Sequence, residues 1–306
     1  MEEFRHAFFE GKIVPFADAR ISVGTHALNY GTAIFGGLRG YWNAEQKKLY
    51  VFRPLEHYKR FLHSARMMLI DLPYTPESLT QLTLDLLKAD DWHQDVYIRP
   101  LGYKADAGIG VRLHDLRNEL SIFALAFGAY GKNEDNAHVT VSSWRRVDDN
   151  VIPARGKISG AYANSALMKT DAVRSGFDEA LVLDQNGHIS EGTAMNVFIV
   201  RDGVLITPPV TDNILEGITR RTVIELARNE LGLSVVERSI DRSEALICDE
   251  LFMTGTAAQV MVVTRVDHRP VGDGKMGPIT ARLRAIFNDV AHGTYPKYSS
   301  WNVPVE

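Results

Sequence analysis

A single cysteine, Cys248, is all the thiol chemistry available to this chain of 306 residues. It cannot close an internal disulfide, and alone it supplies neither a paired-thiol redox motif nor a thiolate zinc site. A free cysteine of this kind reads as a small packing residue. Also missing is an uninterrupted apolar run of the roughly 20 residues needed to span a bilayer. The first residues, MEEFRHAFFEGK, put acidic side chains where a secretory signal carries basic ones, and they break the apolar stretch early. The expectation is a cytoplasmic protein with no membrane partner. Positive charge is not in excess either. Lys and Arg number 34 against 38 Asp and Glu, a net charge of −4, which is not the footprint of a nucleic-acid binder. Internal repeats and low-complexity tracts are absent, so solenoids and long disorder are excluded too.

What is present is an ordinary globular composition, 45% hydrophobic and 24% charged, in a chain longer than one hydrophobic core usually serves. Two domains are expected: residues 1–127, a linker at 128–137 (GAYGKNEDNA) and residues 138–306. In the first, His6 to Phe9 and Lys12 to Val14 flank Glu10-Gly11 as a hairpin, and Lys48 to Phe52 reads as a strand. A helix starts at Pro54, with Leu55, Tyr58, Leu62, Ala65 and Leu69 as its apolar stripe and Arg60 off it. A second starts at Pro76 and buries Leu79, Leu82 and Leu86. Asp95 to Tyr103 and Glu119 to Phe127 follow as strands. In the second domain strands are expected at His138 to Trp144, Glu179 to Asp184, His188 to Glu191, Asn196 to Arg201 and Val204 to Thr207. Asn186-Gly187 and Asp202-Gly203 are the tight turns. Helices are expected from Tyr162 to Ser175 and from Gly217 to a stop at Gly232. Hairpins with segregated helices make the fold class α+β rather than doubly wound.

Four segments could carry chemistry. Lys157 stands between Gly156 and the Ile158-Ser159-Gly160 stretch, where small neighbours allow another molecule close to the backbone. Most lysines are solvent handles, but a desolvated one can form a Schiff base with an aldehyde cofactor. In Leu215-Glu216-Gly217-Ile218-Thr219-Arg220 a glycine turn enters a helix whose first amides lack partners, which suits a phosphate or simple capping. Thr254-Gly255-Thr256-Ala257-Ala258 is a small-residue turn after a strand and could aim amides at an anion. Glu191, among small residues at a strand end, reads alone as a surface carboxylate. Beside a pyridine nitrogen it would favour the protonated ring that an electron-sink cofactor needs.

Together these segments resemble the branched-chain aminotransferase family, the fold-type IV class of pyridoxal-phosphate enzymes, over essentially the whole chain. The matching motifs occur in family order. They are His26 to Thr32 with Phe35 and Arg39, Tyr97-Ile98-Arg99-Pro100-Leu101, Val141-Ser142-Ser143-Trp144, Lys157 to Tyr162, Ile189 to Gly192 with Asn196, Leu215 to Arg220, and Phe252 to Ala258. The resemblance implies a small N-terminal domain and a larger C-terminal domain with a β-barrel-like core. It also implies pyridoxal 5'-phosphate as cofactor and a homodimer, with assembly of dimers beyond that left open. On this resemblance Lys157 forms the Schiff base, Glu191 pairs with the ring nitrogen, and Tyr162 bonds the phenolic oxygen. Leu215 packs on the ring, and Arg60, Ile218, Thr219 and Thr256 hold the phosphate. Tyr97 and Arg99 match positions that handle substrate carboxylates, and the turn of Gly255, Thr256 and Ala257 supplies backbone donors. Phe35, Gly37, Ile109 and Tyr130 match the side-chain pocket, with Tyr30 and Val111 reaching in from a neighbouring subunit.

The implied reaction is ping-pong transamination of L-leucine, L-isoleucine and L-valine with 2-oxoglutarate. Departures from the family pattern fall at Gly36, at Gly40 to Asn43, at Gly102-Tyr103-Lys104 and in the loop with Arg112 and His114; they bear on substrate preference, though the Arg112 and His114 loop reads equally as solvated surface. A D-amino-acid or (R)-amine transaminase, or an aminodeoxychorismate lyase, is the alternative within the same fold. A phosphate-ligand binding protein would lack the lysine or the carboxylate, and neither is lacking.

Overall fold

The computed structural model describes residues 4–128 and 133–306. Contacts divide the chain into two compact units. The first is Met1–Gly128, Gly156–Ala161 and Asp289–Glu306; the second is Ala129–Arg155 and Tyr162–Asn288. The expected linker at 128–137 falls partly on residues outside the described set. Segments 156–161 and 289–306, grouped with the C-terminal domain on sequence grounds, make their contacts within the first unit, through pairings that no local pattern announces. The strand Asn302–Pro304 pairs antiparallel with Lys48–Phe52, and Ile158 bridges Ile34.

In the first unit, β1 (Phe4–Phe9) and β2 (Lys12–Pro15) form the hairpin at Glu10-Gly11, where both turn residues take positive φ, 46° and 82°. Next come α1 (His26–Tyr30), β3 (Ala33–Phe35), β4 (Leu38–Asn43), β5 (Lys48–Phe52), α2 (Pro54–Met67), α3 (Pro76–Asp90), β6 (Val96–Lys104) and β7 (Asn118–Ala126). The sheet runs from the C-terminal strand through β5, β4, β6, β7 and β1 to β2, with β3 also on β6. Leu38, Val51, Phe61, Leu79, Leu86, Ile98 and Ile122 fill its core.

The inward face of α2 differs from the expected stripe. Leu55 is 37% and Leu69 59% exposed, and the buried positions are His57, Tyr58, Phe61, Ser64 and Ala65. Leu69 lies beyond the helix, at φ 50°. The helix is rotated because polar side chains on that face have partners to meet. Tyr58 bonds Thr83, and Ser64 accepts from the Lys157 amide. On α3, Leu79 and Leu86 are buried as expected, while Leu82 is half-buried beside Thr83. A capping box between Thr75 and Ser78 starts that helix.

The second unit contains β8 (Ala137–Arg145), α4 (Tyr162–Arg174), β9 (Glu179–Leu183), β10 (His188–Gly192), β11 (Asn196–Arg201), β12 (Val204–Thr207), α5 (Ile218–Leu231), β13 (Val235–Glu237), β14 (Ile240–Asp241), β15 (Glu250–Gly255), β16 (Gln259–Val266) and β17 (Arg269–Pro270), with α6 (Pro278–Ala291) following. The strand order is β13, β12, β11, β15, β16, β8, β9, β10, β14, with β17 on β16. The neighbours of β8, namely β9 and β16, run parallel to it, and β12 runs parallel to β13; the other pairs are antiparallel. Val139, Leu181, Ile189, Val197, Met253 and Val263 build the core, and Cys248 packs into it. Burial pushes that thiol up to about 12, so it is unreactive packing. Asp202 and Gly203 both turn left-handed, but at Asn186-Gly187 only the glycine does. There the Asp184 carboxylate accepts the amides of Asn186 and His188 and fixes the turn instead. No helix among the described residues is long and apolar enough to cross a membrane.

Candidate active site

Most of the residues singled out from sequence fall into two groups in the first unit and one in the second. In the first unit Lys157 is held by its backbone at both ends. Its carbonyl accepts from Phe35 N at 3.0 Å, and its own N–H donates to Ser64 Oγ at 3.1 Å. Ile158 continues as a bridge to Ile34, and Gly160 N donates to Gly31 O at 3.1 Å. This close approach needs glycine twice, since Gly31 sits at φ 67° and a Cβ on it would run into Gly160. The lysine Nζ lies 4.7 Å from the centre of the Phe35 ring, and the Arg99 guanidinium lies 4.6 Å from the same ring. One aromatic ring therefore positions both cations.

Arg99 Nη2 donates to Tyr97 Oη at 3.3 Å, while its Nε is buried with no hydrogen-bond partner. An unmet guanidinium donor is suited to a carboxylate. Gly37 backs onto the Tyr97 hydroxyl, where any Cβ would collide with it. Arg60, half-buried on α2, lies one turn before Ser64, whose hydroxyl bonds its carbonyl at 3.0 Å. His57 on the same helix is buried, and its pKa is driven well below the ordinary value, first by desolvation and then by the Arg60, Arg53 and Lys157 charges. It is a neutral imidazole.

Tyr30 and the loop after β6 form a further set in this unit. The Tyr30 hydroxyl accepts from Gly110 N at 3.0 Å, and His26 Nε2 contacts Gly110 O at 2.7 Å. Ile109 and Val111, flanking that anchor, are 94% and 77% exposed. Arg112 and His114 are exposed as well. Tyr130 lies outside the described residues. The Gly102 to Lys104 departure points into the unit's own packing. Tyr103 joins a cluster with Phe9 and Ala33, and burial pushes its hydroxyl up to about 12. Lys104 Nζ donates to the Leu69 carbonyl and to Asn118 Oδ1. At Gly36 a Cβ would meet the Pro100 ring, so the glycine there reflects crowding.

In the second unit Glu191 is 4% exposed, not the surface carboxylate its local sequence suggests. Arg146 Nη2 lies 3.0 Å from Oε1, and Oε2 accepts from Leu215 N at 3.0 Å and Asn196 Nδ2 at 3.3 Å. A charge this deep requires such donors. Asn196 also donates to Leu215 O at 2.9 Å, and its Oδ1 presses on Gly217, where a Cβ would collide. Gly217 is the N-cap of α5 and makes no side-chain cap bond, so the amides of Ile218 and Thr219 open the helix at this corner. In the β11–β15 register Asn196 faces Thr254, which brings the turn of Gly255, Thr256 and Ala257 to the same place. Thr254 Oγ1 is buried there without a partner. A helix N-terminus, a small-residue turn, an orphaned hydroxyl and a braced carboxylate share one corner, a donor set that fits a phosphorylated pyridine. Tyr162 opens α4, half-buried.

Comparison with known proteins agrees with these motifs. The sequence profile of the family described as Amino-transferase class IV matches residues 40–266. The chain belongs to the class IV aminotransferase family. A probable branched-chain-amino-acid aminotransferase of Aquifex aeolicus is 46% identical over 299 residues, covering 98% of this chain and 96% of that one. Among solved structures, the branched-chain aminotransferase of Thermoproteus uzoniensis with norvaline superposes with a TM-score of 0.95 at 38% identity, over 99% of this chain and all of that one. The T.th. branched-chain amino acid aminotransferase complexed with N-(5'-phosphopyridoxyl)-L-glutamate gives 0.94 at 38%, over the whole of both chains. The fold is thus the two-domain α+β fold of this class IV family. Sequence reading had no signal for Arg146 in the second unit, whose partner Glu191 is 45 positions away, nor for His57 and Ser64 in the first, which looked like ordinary helix positions.

Proposed function

We propose that this class IV aminotransferase transfers the amino group of L-leucine, L-isoleucine and L-valine to 2-oxoglutarate with pyridoxal 5'-phosphate. The observation that carries the reading is the buried Glu191 carboxylate, braced by Arg146, Asn196 and the Leu215 amide beside the open α5 N-terminus. Its relatives are named branched-chain aminotransferases, and a structural neighbour is complexed with a phosphopyridoxyl-glutamate compound.

When bound, the cofactor supplies an aldehyde carbon for amine capture and a pyridine ring that accepts the electron pair left at the substrate's α-carbon. Lys157 would hold that aldehyde carbon through its Nζ, and the same Nζ, when free, would carry the proton taken from the substrate Cα. Glu191 would keep a proton on the ring nitrogen. Tyr162 would bond the phenolic oxygen, Leu215 would pack on the ring, and Ile218, Thr219 and Thr256 would hold the phosphate, a role that motif order also assigns to Arg60. Arg99, positioned by Tyr97 and Phe35, takes the side-chain carboxylate of the acidic substrate; the turn of Gly255 to Ala257 orients the α-carboxylate. Phe35, Gly37 and Ile109 would line the side-chain pocket, to which Tyr130 is assigned by motif order alone. Tyr30 and Val111 serve a neighbouring subunit of a cytoplasmic homodimer.

The test is the absorption spectrum of cofactor-loaded protein mixed with L-leucine, D-alanine or (R)-1-phenylethylamine, with no oxo acid present. We expect the yellow absorbance to be lost fastest with L-leucine, and Lys157→Ala to show no such conversion. Faster conversion with the D-acid or the (R)-amine would overturn the substrate assignment, and turnover by Lys157→Ala would overturn the role of the lysine.

A further inference from the structure

Away from Lys157 and Glu191, the second unit gathers Asp184, His188 and Asp212 so that one ligand atom from each lies within 4.8 Å of the others. Asp184 follows β9, His188 opens β10, and Asp212 stands in the loop after β12. Asp184 and Asp212 are both buried. Asp184 Oδ1 is used by the turn, accepting Asn186 N and His188 N at 2.9 Å each, which leaves Oδ2 with only a long contact to Asn186 Nδ2 at 3.4 Å. His188 Nδ1 lies 4.0 Å from Asp184 Oδ2, and its Nε2 lies 3.5 Å from Asp241 Oδ1.

Asp212 has the least explained side chain of the three. Its backbone is fixed, with the carbonyl accepting from Ser190 Oγ at 2.6 Å and the N–H donating to Pro209 O at 3.1 Å. The residue is only 8% exposed, and Oδ2 is buried without a hydrogen-bond partner. Among the described residues no cationic side chain is paired with it. A buried carboxylate in that condition is unfavourable unless something neutralises it, and coordination of a metal is one of the few remedies.

We infer that Asp184, His188 and Asp212 bind a divalent cation of the zinc and manganese class, which braces the loop of residues 208–215 against β10. One imidazole nitrogen with two carboxylate oxygens suits divalent ions of the first transition row, which accept nitrogen as well as oxygen, over magnesium and calcium, which take oxygen ligands. His188, with a side chain 34% exposed, gives the site its access to solvent, so water completes the coordination. The consequence reaches Glu191 through the chain. Asn213, next to Asp212, accepts from Arg146 Nε at 3.1 Å, and Arg146 holds Glu191. Ser190, which holds Asp212, precedes Glu191. The ion's role is structural, and the inference stands or falls independently of the transamination reading.

The experiment is a titration of chelator-treated, cofactor-loaded protein with Mn2+, followed by loss of the free-ion electron paramagnetic resonance signal, with Zn2+, Mg2+ and Ca2+ as competitors. About one tight Mn2+ per chain is expected, displaced by Zn2+ and not by equal Mg2+ or Ca2+. Asp212→Asn and His188→Gln should each weaken it by roughly tenfold or more, and circular dichroism establishes that both variants are folded. Absence of tight Mn2+ or Zn2+ binding would overturn the inference, as would binding unchanged in both folded variants. Displacement by Mg2+ or Ca2+ would overturn the assigned class of ion.

Discussion

Glu191 shows how much a single side chain depends on its neighbours. In isolation a glutamate at a strand end belongs in water, and here it is buried because Arg146, Asn196 and the Leu215 amide replace the water it loses. The same donors aim it. Glu191→Gln keeps the shape and some of the contacts but removes the charge, so cofactor retention should change little. The rate of substrate α-proton removal in single-turnover absorbance measurements should fall on the order of a hundredfold. An unchanged rate would remove Glu191 from the chemistry. The identity of the glutamate was legible through motif order alone. Its burial was not, because the arginine that compensates it follows a different strand, β8, and no periodicity links the two.

At the scale of elements, strands and turns were read well where the pattern is local. The β1–β2 hairpin, the stop of α5 at Gly232 and the strand leading to Gly255 all depend on residues within a few positions of one another. The face of α2 was misread because apolar periodicity is blind to polar side chains that are buried for their partners, as Tyr58 and Ser64 are, and to His57 buried beside them. His57 makes that cost measurable. The unfolded chain protonates it near pH 6.5, whereas the folded chain, with burial and the nearby Arg60, Arg53 and Lys157 charges opposing the proton, does not. The unfolded state then binds more protons below pH 6.5, and stability must fall as the pH drops. The loss is at most about 1.4 kcal/mol per pH unit. Urea unfolding at pH 7 and pH 5 checks this: His57→Gln should shrink the difference in stability between the two. A pH dependence identical to that of the parent protein would mean that His57 is protonated in the fold.

The whole molecule presents a surface that a monomer does not explain. Val23, Leu28, Ile109 and Val111, all in the first unit, are strongly exposed, with Val23 at 86%. Isolated exposed apolar residues need no account, but Ile109 and Val111 flank Gly110, which His26 and Tyr30 clamp from both its carbonyl and its amide. The clamp fixes the loop and leaves its two largest apolar side chains facing outward, an arrangement suited to burial against a second copy of the chain. A closed two-fold pairing would use the same patch on both subunits. Sedimentation velocity at micromolar protein should therefore show a dimer, and the double substitution Ile109→Asp and Val111→Asp should shift it toward monomer. Transamination of L-leucine should fall with the dimer if, as proposed above, the pocket takes Tyr30 and Val111 from the partner, and should recover in part as protein concentration rises. A fully active monomer would assign the exposed loop to some other role. An inactive variant that stays dimeric would mean that Ile109 and Val111 act at the substrate pocket alone and make no subunit contact.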